Sequence, residues 1–192
     1  MATPPDPLSW FEAALEGIEP FLLSDDIFRP LRGLPGPPQQ DQSLGAILLV
    51  ADSLEAGDHP DPPAERARAV PLLHRWEEER SNHPAAIERK ALAELSQRHN
   101  LWRAYLADLL EDAREARSFA TDVRNRVLLT RLQTELLEPE GRKAWSDRCE
   151  VLDRRLRPIW SPGPFLWAPY LATAYSQEDY WFLYGSPTGA RA

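Results

Sequence analysis

The chain has 192 residues, which is enough for one domain with a proper core. Its 30 acidic residues outnumber its 22 basic ones and give a net charge of −8. This balance argues against nucleic acid as a partner, because phosphate binding draws its affinity from clustered Lys and Arg. The single cysteine, Cys149, excludes an internal disulfide framework and a multi-cysteine zinc site.

The charge is unevenly distributed along the chain. Residues 1–63 contain 11 acidic and 2 basic residues, whereas residues 139–192 contain 6 and 7. No window approaches eighteen apolar residues, and no basic residue precedes the first apolar run as it would in a signal peptide. We therefore expect a cytoplasmic protein without a membrane partner.

Proline-rich stretches divide the first third of the chain. We predict loops at residues 1–7, 34–43 and 58–63, because proline removes a backbone donor and fixes φ. Asp6 or Ser9 is placed to cap a first helix.

Pro20 should end or bend that first helix. A second, short helix is predicted from Ser24 to Arg29, since a capping serine is followed there by two acids that suit a helix N-terminus.

Two longer helices should follow. Ser43 is a candidate N-cap for a helix from Leu44 to Ala56, with Gly57 where a C-terminal cap belongs. Residues 64–80 also look helical, but Pro71 predicts a kink or two short pieces.

The most extended helical signal runs from Ala85 to Glu138, a stretch without Pro or Gly. Apolar residues recur in it at steps of three and four and form a coiled-coil-like seam. The members of this seam are Leu92, Leu95, Trp102, Leu106, Leu109, Ala113, Ala116, Ala120, Val123 and Val127.

A straight helix over residues 85–138 would be roughly 80 Å long, whereas a compact domain of this size is roughly 40 Å across. The segment must therefore protrude, bend or divide into two helices, and we place a candidate junction at His99 and Asn100. The small residues Ala113, Ala116 and Ala120 predict close coverage of the seam by another helix.

Pro139 should open a further helix to about Arg157 that folds back on the long segment as an antiparallel hairpin. The fold class predicted is all-α: a helical bundle built on one long helix, or a bent helix pair, and its antiparallel partner. We expect residues 1–192 to form a single domain.

Residues 158–192 form an aromatic-rich, irregular tail. Its first part, to residue 169, contains four prolines and should be extended. Ser176 and Asp179 resemble a capping box for a last short helix that Gly185 would end.

The tail holds nine of the eighteen aromatic residues, so it can be interpreted in two ways. The rings can pack over the bundle, which is the commoner role of aromatics, or they can form a groove for a partner. An apolar ligand pocket beneath the tail is a further possibility. The candidate binding surface consists of Trp160, Phe165, Trp167, Tyr170, Tyr180, Trp181 and Tyr184.

Metal chemistry has little support in the sequence. His74 with Glu78, and Glu79 with His83, lie four residues apart and could share a helix face. However, neither the Glu-x-x-His pattern of di-iron bundles nor a His-Glu-x-x-His motif is present. We predict no metal site and no cofactor.

One set of acids resembles the all-helical pyrophosphohydrolases, which hydrolyse nucleoside triphosphates with magnesium. That family uses an acidic cluster on one helix and Glu-x-x-Asp on the next; here the matching residues are Glu111, Asp112, Glu115, Glu150 and Asp153. Asp112 stands where the family usually has Glu, and the gap between the two groups is longer than usual. The resemblance implies magnesium held by facing carboxylates.

A basic run on the predicted hairpin helix, formed by Arg148, Arg154, Arg155 and Arg157, is offset by Glu150 and Asp153. We interpret it as a docking surface for the acidic first third of the chain rather than for nucleic acid.

The function predicted is a non-enzymatic interaction or assembly module that binds another protein or self-associates through the seam or the tail. The alternative is the magnesium-dependent hydrolase.

Overall fold

A computed structural model describes residues 6–31, 41–56 and 63–188. Within these ranges the chain is all-α, as predicted, with seven α-helices and one two-stranded antiparallel sheet. None of the described helices is long and apolar enough to cross a membrane. The helices are α1 Pro7–Glu16, α2 Ile18–Leu23, α3 Leu44–Glu55, α4 Pro63–Asn82, α5 Pro84–Glu111, α6 Phe119–Leu136 and α7 Pro139–Leu156, and the strands are β1 Trp160–Phe165 and β2 Tyr184–Pro187.

The chain divides into two compact units, residues 1–94 and 95–192, with the boundary inside α5. In the first unit, α1 packs against α3 and α4. Asp6 caps α1, because its carboxylate accepts hydrogen bonds from the backbone N–H groups of Leu8 and Ser9. The predicted proline-rich loops lie mostly outside the described residues.

The chain between α1 and α3 differs from the prediction. The first break falls at Gly17, and Pro20 occupies the first turn of α2, where a missing N–H costs no helical hydrogen bond. The helix predicted from Ser24 to Arg29 does not form. The Ser24 hydroxyl donates to the Phe21 carbonyl and so closes α2, and Arg29 pairs with Gln42 in an isolated β-bridge.

The predicted cap of α3 is confirmed. The Ser43 hydroxyl accepts from the Ala46 N–H at 3.1 Å and donates to Glu94 Oε1 at 2.8 Å. The other carboxylate oxygen of Glu94 accepts from the Gly45 N–H at 3.0 Å, so the buried Glu94 stabilises the start of α3. The proposed C-terminal cap Gly57 lies outside the described residues.

Helix α4 runs without interruption through Pro71, so the predicted alternative of two short helices is wrong. Pro71 removes the hydrogen bond to the carbonyl of Ala67. Both residues are exposed, so water can satisfy that carbonyl.

The long segment consists of two helices, which confirms one of the three alternatives. The junction is not at His99 and Asn100, which lie inside α5. It lies at Asp112, whose backbone is extended and whose carboxylate accepts from the Arg114 N–H at 2.9 Å. This local bond starts a 3₁₀ turn over Ala113–Ser118 before α6 begins.

The seam of the long segment belongs mostly to the core. Seven of its ten members are buried, including Trp102 and Val127, whereas Leu92, Ala113 and Ala120 are exposed. Ala116 is buried, whereas the exposed Ala113 and Ala120 contradict the close coverage that was predicted for them.

The predicted hairpin is confirmed for α7 with α6, and Trp145 of α7 also meets His99 of α5 with ring centres 6.0 Å apart. Arg142 donates to the Thr134 carbonyl near the connection, and Arg126 pairs with Asp153 farther along both helices. In each of these two contacts the residues lie at similar distances from the connection, one before it and one after it. This is the arrangement of an antiparallel helix pair.

The tail contains a strand pair that the sequence did not reveal. β1 and β2 are antiparallel, with Trp160 opposite Pro187 and an irregularity between Pro162 and Phe165. The predicted extended start of the tail is confirmed over Trp160–Phe165, but Pro158 and Ile159 belong to a 3₁₀ turn and Pro169 begins another. The Ser176 cap also forms, since its hydroxyl oxygen accepts from the Asp179 N–H at 3.2 Å, but only a turn and a 3₁₀ turn follow. Gly185 lies in β2, so its predicted role as a helix end is wrong.

Candidate functional site

The aromatic residues of the tail pack chiefly on one another. Trp160 meets Trp181 edge-to-face with ring centres 5.4 Å apart, and Tyr175 meets Tyr180 in the same way at 5.0 Å. Tyr184 donates its hydroxyl to the Tyr175 carbonyl at 2.7 Å. These contacts join residues from different parts of the tail. We call the set formed by Trp160, Tyr175, Tyr180, Trp181 and Tyr184 the aromatic layer.

The candidate binding surface is only partly accessible. Tyr180 is buried, and the other six of its residues are half-buried. Trp167 also donates its indole N–H to the Ala120 carbonyl at 3.1 Å, which ties the layer to α6. The exposed residues next to the layer include Pro162, Gly163 and Pro164 of β1.

Two arginines lie over tryptophan rings. The guanidinium carbon of Arg157 is 4.3 Å from the ring centre of Trp181, and that of Arg148 is 4.5 Å from the ring centre of Trp145. These are cation–π contacts, and they hold both guanidinium groups against aromatic surfaces.

The outer face of α7 and the turn after it is predominantly basic. Six exposed cations face solvent there, namely Arg142, Lys143, Arg148, Arg154, Arg155 and Arg157, against the three exposed acids Glu140, Asp147 and Glu150. Val151 is 52% exposed and lies on the same side as Arg148 and Arg155 at helical spacing. We call Arg148, Val151, Arg154, Arg155 and Arg157 the basic face, and the exposed Glu150 lies beside Arg154 at i,i+4.

Asp153 does not offset this charge at the surface, contrary to the sequence-based interpretation. It is 3% exposed and accepts from Arg126 Nε and Nη2, both at 2.8 Å. Arg126 also donates to Thr130 Oγ1 at 2.6 Å and stacks on the Phe182 ring at 4.6 Å. Burial lowers the pKa of Arg126, but the hydrogen bonds and charge of Asp153 outweigh it and raise the pKa.

Sequence reasoning did not identify Arg126, although a signal was present. Arg126 is next to Val127 and Asp153 is next to Leu152, and both of those apolar neighbours belong to buried series. In an antiparallel hairpin that closes at Pro139, the two charges fall at similar distances from the connection, so their pairing could have been inferred.

A cleft of about 300 Å³ opens between α6 and the tail. Hydroxyl-bearing and charged residues dominate its lining, so it is not the apolar pocket considered from the sequence. The lining residues are Thr130, Arg131, Thr134, Thr173, Ala174, Ser176, Asp179 and Tyr180.

The five acids of the hydrolase resemblance have separate surroundings. Asp153 is bound to Arg126, and Asp112 accepts from the Arg114 side chain, whose hydrogen bonds lower the pKa of Asp112. Glu111, Glu115 and Glu150 are exposed. Among the described residues, no group of three or more His, Cys, Asp or Glu side chains is arranged to hold a metal ion.

Two histidine–glutamate pairs, one on α4 and one at its C-terminal end, form side-chain contacts. His74 Nδ1 lies 3.3 Å from Glu78 Oε1, and His83 Nε2 lies 3.5 Å from Glu79 Oε2. The first pair is largely solvent-exposed, as expected for pairs at i,i+4 on the outer side of a helix.

The chain is thus an all-α protein whose C-terminal unit adds a strand pair, an aromatic layer and a basic helix face. Comparison with protein-family models, with curated proteins and with solved structures finds no match to it.

Proposed function

We propose that this protein is a non-enzymatic, cytoplasmic interaction module whose C-terminal unit binds an acidic protein segment through the basic face of α7. The observation that carries the proposal is the burial of Asp153, which leaves Arg154 and Arg155 exposed beside a solvated valine.

The composition of the basic face suits a protein partner. Arginine and tryptophan are enriched at the energetic centres of protein interfaces, and Arg157 and Trp181 are already in contact. An exposed apolar residue among cations favours a segment that combines acidic with apolar side chains. The acidic segment belongs to another protein or to a second copy of this chain, whose residues 1–63 have 11 acids and 2 basic residues.

The test is a fluorescence polarisation titration of the full chain with a labelled peptide rich in Glu and Leu. A peptide in which Gln replaces every Glu serves as the control ligand. We expect saturable binding of the acidic peptide that weakens as salt is raised, because exposed charges are screened.

The variant R154Q/R155Q should bind the acidic peptide about two- to thirtyfold more weakly, since each removed surface charge contributes roughly 0.2–1 kcal/mol. R103Q/R117Q is the matched control, because both residues are exposed in the same unit but lie outside α7. An equal loss in both double variants would contradict the proposal.

Light scattering distinguishes the two sources of the acidic segment. A dimer that R154Q/R155Q converts to monomer identifies a second copy, and a monomer throughout identifies another protein. The hydrolase alternative makes a contrary prediction: magnesium-dependent loss of a nucleoside triphosphate, abolished by E111Q/E150Q, would replace the interaction proposal.

A further inference from the structure

We propose that the partner of the basic face is a second copy of this chain, which meets it through an acidic stripe on α1 and α2. In naming the source of the acidic segment, we rely on the proposed function of that face. Four exposed residues form the acidic stripe, namely Glu12, Glu16, Glu19 and Leu23.

The acidic stripe follows one side of two consecutive helices. Its members recur at steps of four, three and four, which is the spacing of residues on one side of a helix. The break at Gly17 keeps this side, because the buried residues continue through it at the same spacing, namely Leu8, Phe11, Leu15, Ile18 and Leu22. Each member of the stripe directly follows a buried residue, which places the stripe about 100° around the helix from the core-facing side.

The segment that carries the acidic stripe has no positive side chain. Residues 6–28 contain six acids, all of them exposed, and no Lys or Arg. Two guanidinium groups approach from α4 and α5, but they bond to backbone carbonyls. Arg75 donates to the Leu15 carbonyl at 2.9 Å, and Arg89 donates to that of Leu22 at 2.8 Å. Within the described ranges no ion pair uses a carboxylate of the stripe, so these groups are available to cations of another molecule.

The acidic stripe and the basic face complement each other in charge. The four arginines of the basic face exceed the neighbouring Glu150 by three charges, which equals the number of glutamates in the stripe. Opposite charges on facing surfaces speed association and disfavour partners that lack the acids.

Each surface also presents one solvated aliphatic side chain. Leu23 is 64% exposed at the end of the stripe, and Val151 is 52% exposed among the arginines of the basic face. Burial of an aliphatic side chain stabilises a complex more than a single exposed ion pair does. The charges thus select the partner, and burial of Leu23 and Val151 adds to the affinity.

Every copy carries both surfaces, so the contact is heterologous and joins the stripe of one copy to the basic face of another. Exposed ion pairs at a small interface give weak, reversible binding that salt screens. We therefore expect association at high protein concentration that decreases as salt is raised. A Glu- and Leu-rich peptide that occupies the basic face should compete with it.

The test is sedimentation equilibrium of the full chain over a range of protein and salt concentrations. R154E/R155E reverses the charge of the basic face, and E12R/E16R reverses that of the stripe. Each variant alone should associate about fourfold or more weakly than the unaltered chain, because each reversed charge replaces an attraction by a repulsion. An equimolar mixture of the two variants should associate again, since one keeps the stripe and the other keeps the basic face.

E78R/E88R is the matched control. It makes the same change of charge at two exposed acids of α4 and α5 outside the stripe, and should associate as the unaltered chain does. Recovery of association in the mixture would also show that both reversed variants are folded.

Three results would overturn the assignment of a second copy: an unaltered chain that is monomeric at all concentrations, an equal loss in E78R/E88R, or a mixture that associates no better than either reversed variant alone. The peptide titration distinguishes these results from failure of the proposed function. If the acidic peptide binds the basic face while the chain stays monomeric, only the second copy is excluded as the partner. If neither the peptide nor a second copy binds, both proposals fail.

Discussion

Arg126 of α6 and Asp153 of α7 form a bidentate ion pair in the interior of the C-terminal unit, with both N···O distances 2.8 Å. The guanidinium of Arg126 also donates a hydrogen bond to the Thr130 hydroxyl and lies over the Phe182 ring. One side chain thus joins two helices to the tail. Because burial removes both charges from water, the pair depends on this complete set of contacts.

Removing one partner should be much more damaging than removing both. D153L leaves a buried guanidinium without its carboxylate, and we expect the free energy of unfolding to fall by about 3–5 kcal/mol. R126M/D153L should recover most of that loss, because an apolar pair of similar volume has no unpaired charge. Urea denaturation of both variants measures the difference. A double variant no more stable than D153L would contradict the expectation.

Gly185 should resist substitution. Its φ is +154°, and a Cβ there would lie 2.2 Å from the Ser161 carbonyl oxygen and 2.8 Å from a Trp160 ring carbon. We expect G185A to lower the free energy of unfolding by roughly 2–3 kcal/mol and to weaken the near-ultraviolet circular dichroism of the aromatic layer.

G163A is the matched control in the opposite strand, since its Cβ would come no closer than 3.4 Å to the α-carbon of Gly185. Thermal unfolding should therefore show a large decrease in Tm for G185A and a small one for G163A. Equal decreases would exclude the steric explanation.

Cys149 should react slowly with alkylating reagents. It is 1% exposed, and burial raises the pKa of its thiol even though the charge of Arg126 acts in the opposite sense. Iodoacetamide labelling followed by mass spectrometry should be slow in the folded chain and fast in urea. Rapid labelling of the folded chain would contradict the buried position of this helix face.

His99 should make stability depend on pH. Burial, followed by the charges of Arg103 and Arg148, lowers its pKa from the ordinary value of about 6.5. The unfolded chain therefore binds more protons than the folded chain below that value, and stability decreases as the pH falls through the lowered pKa.

The variant H99Q tests this dependence. Between about pH 7.5 and 5.5 we expect the free energy of unfolding to fall less in H99Q than in the unaltered chain, because glutamine does not titrate. Denaturation curves across this range measure both slopes, and an unchanged slope would assign the dependence to another group.

Local signals in the sequence determined much of the helical framework. Ser43 caps α3 as predicted, and Pro139 begins α7, because capping and proline geometry involve residues only a few positions apart. The apolar spacing of the long segment likewise identified most of its buried residues. These features depend on interactions within one or two helical turns.

Only the tertiary structure decided how the candidate surfaces are built. The pairing of β1 with β2 and the burial of Asp153 against Arg126 join residues more than twenty positions apart. In the sequence Asp153 counts as an acid that offsets the neighbouring arginines. Its burial against Arg126 removes that negative charge from the basic face. Hairpin geometry makes Arg126 and Asp153 candidates for a pair, but the burial of that pair and the register of β1 with β2 depend on packing between distant segments, which no local pattern of hydrophobicity or capping encodes.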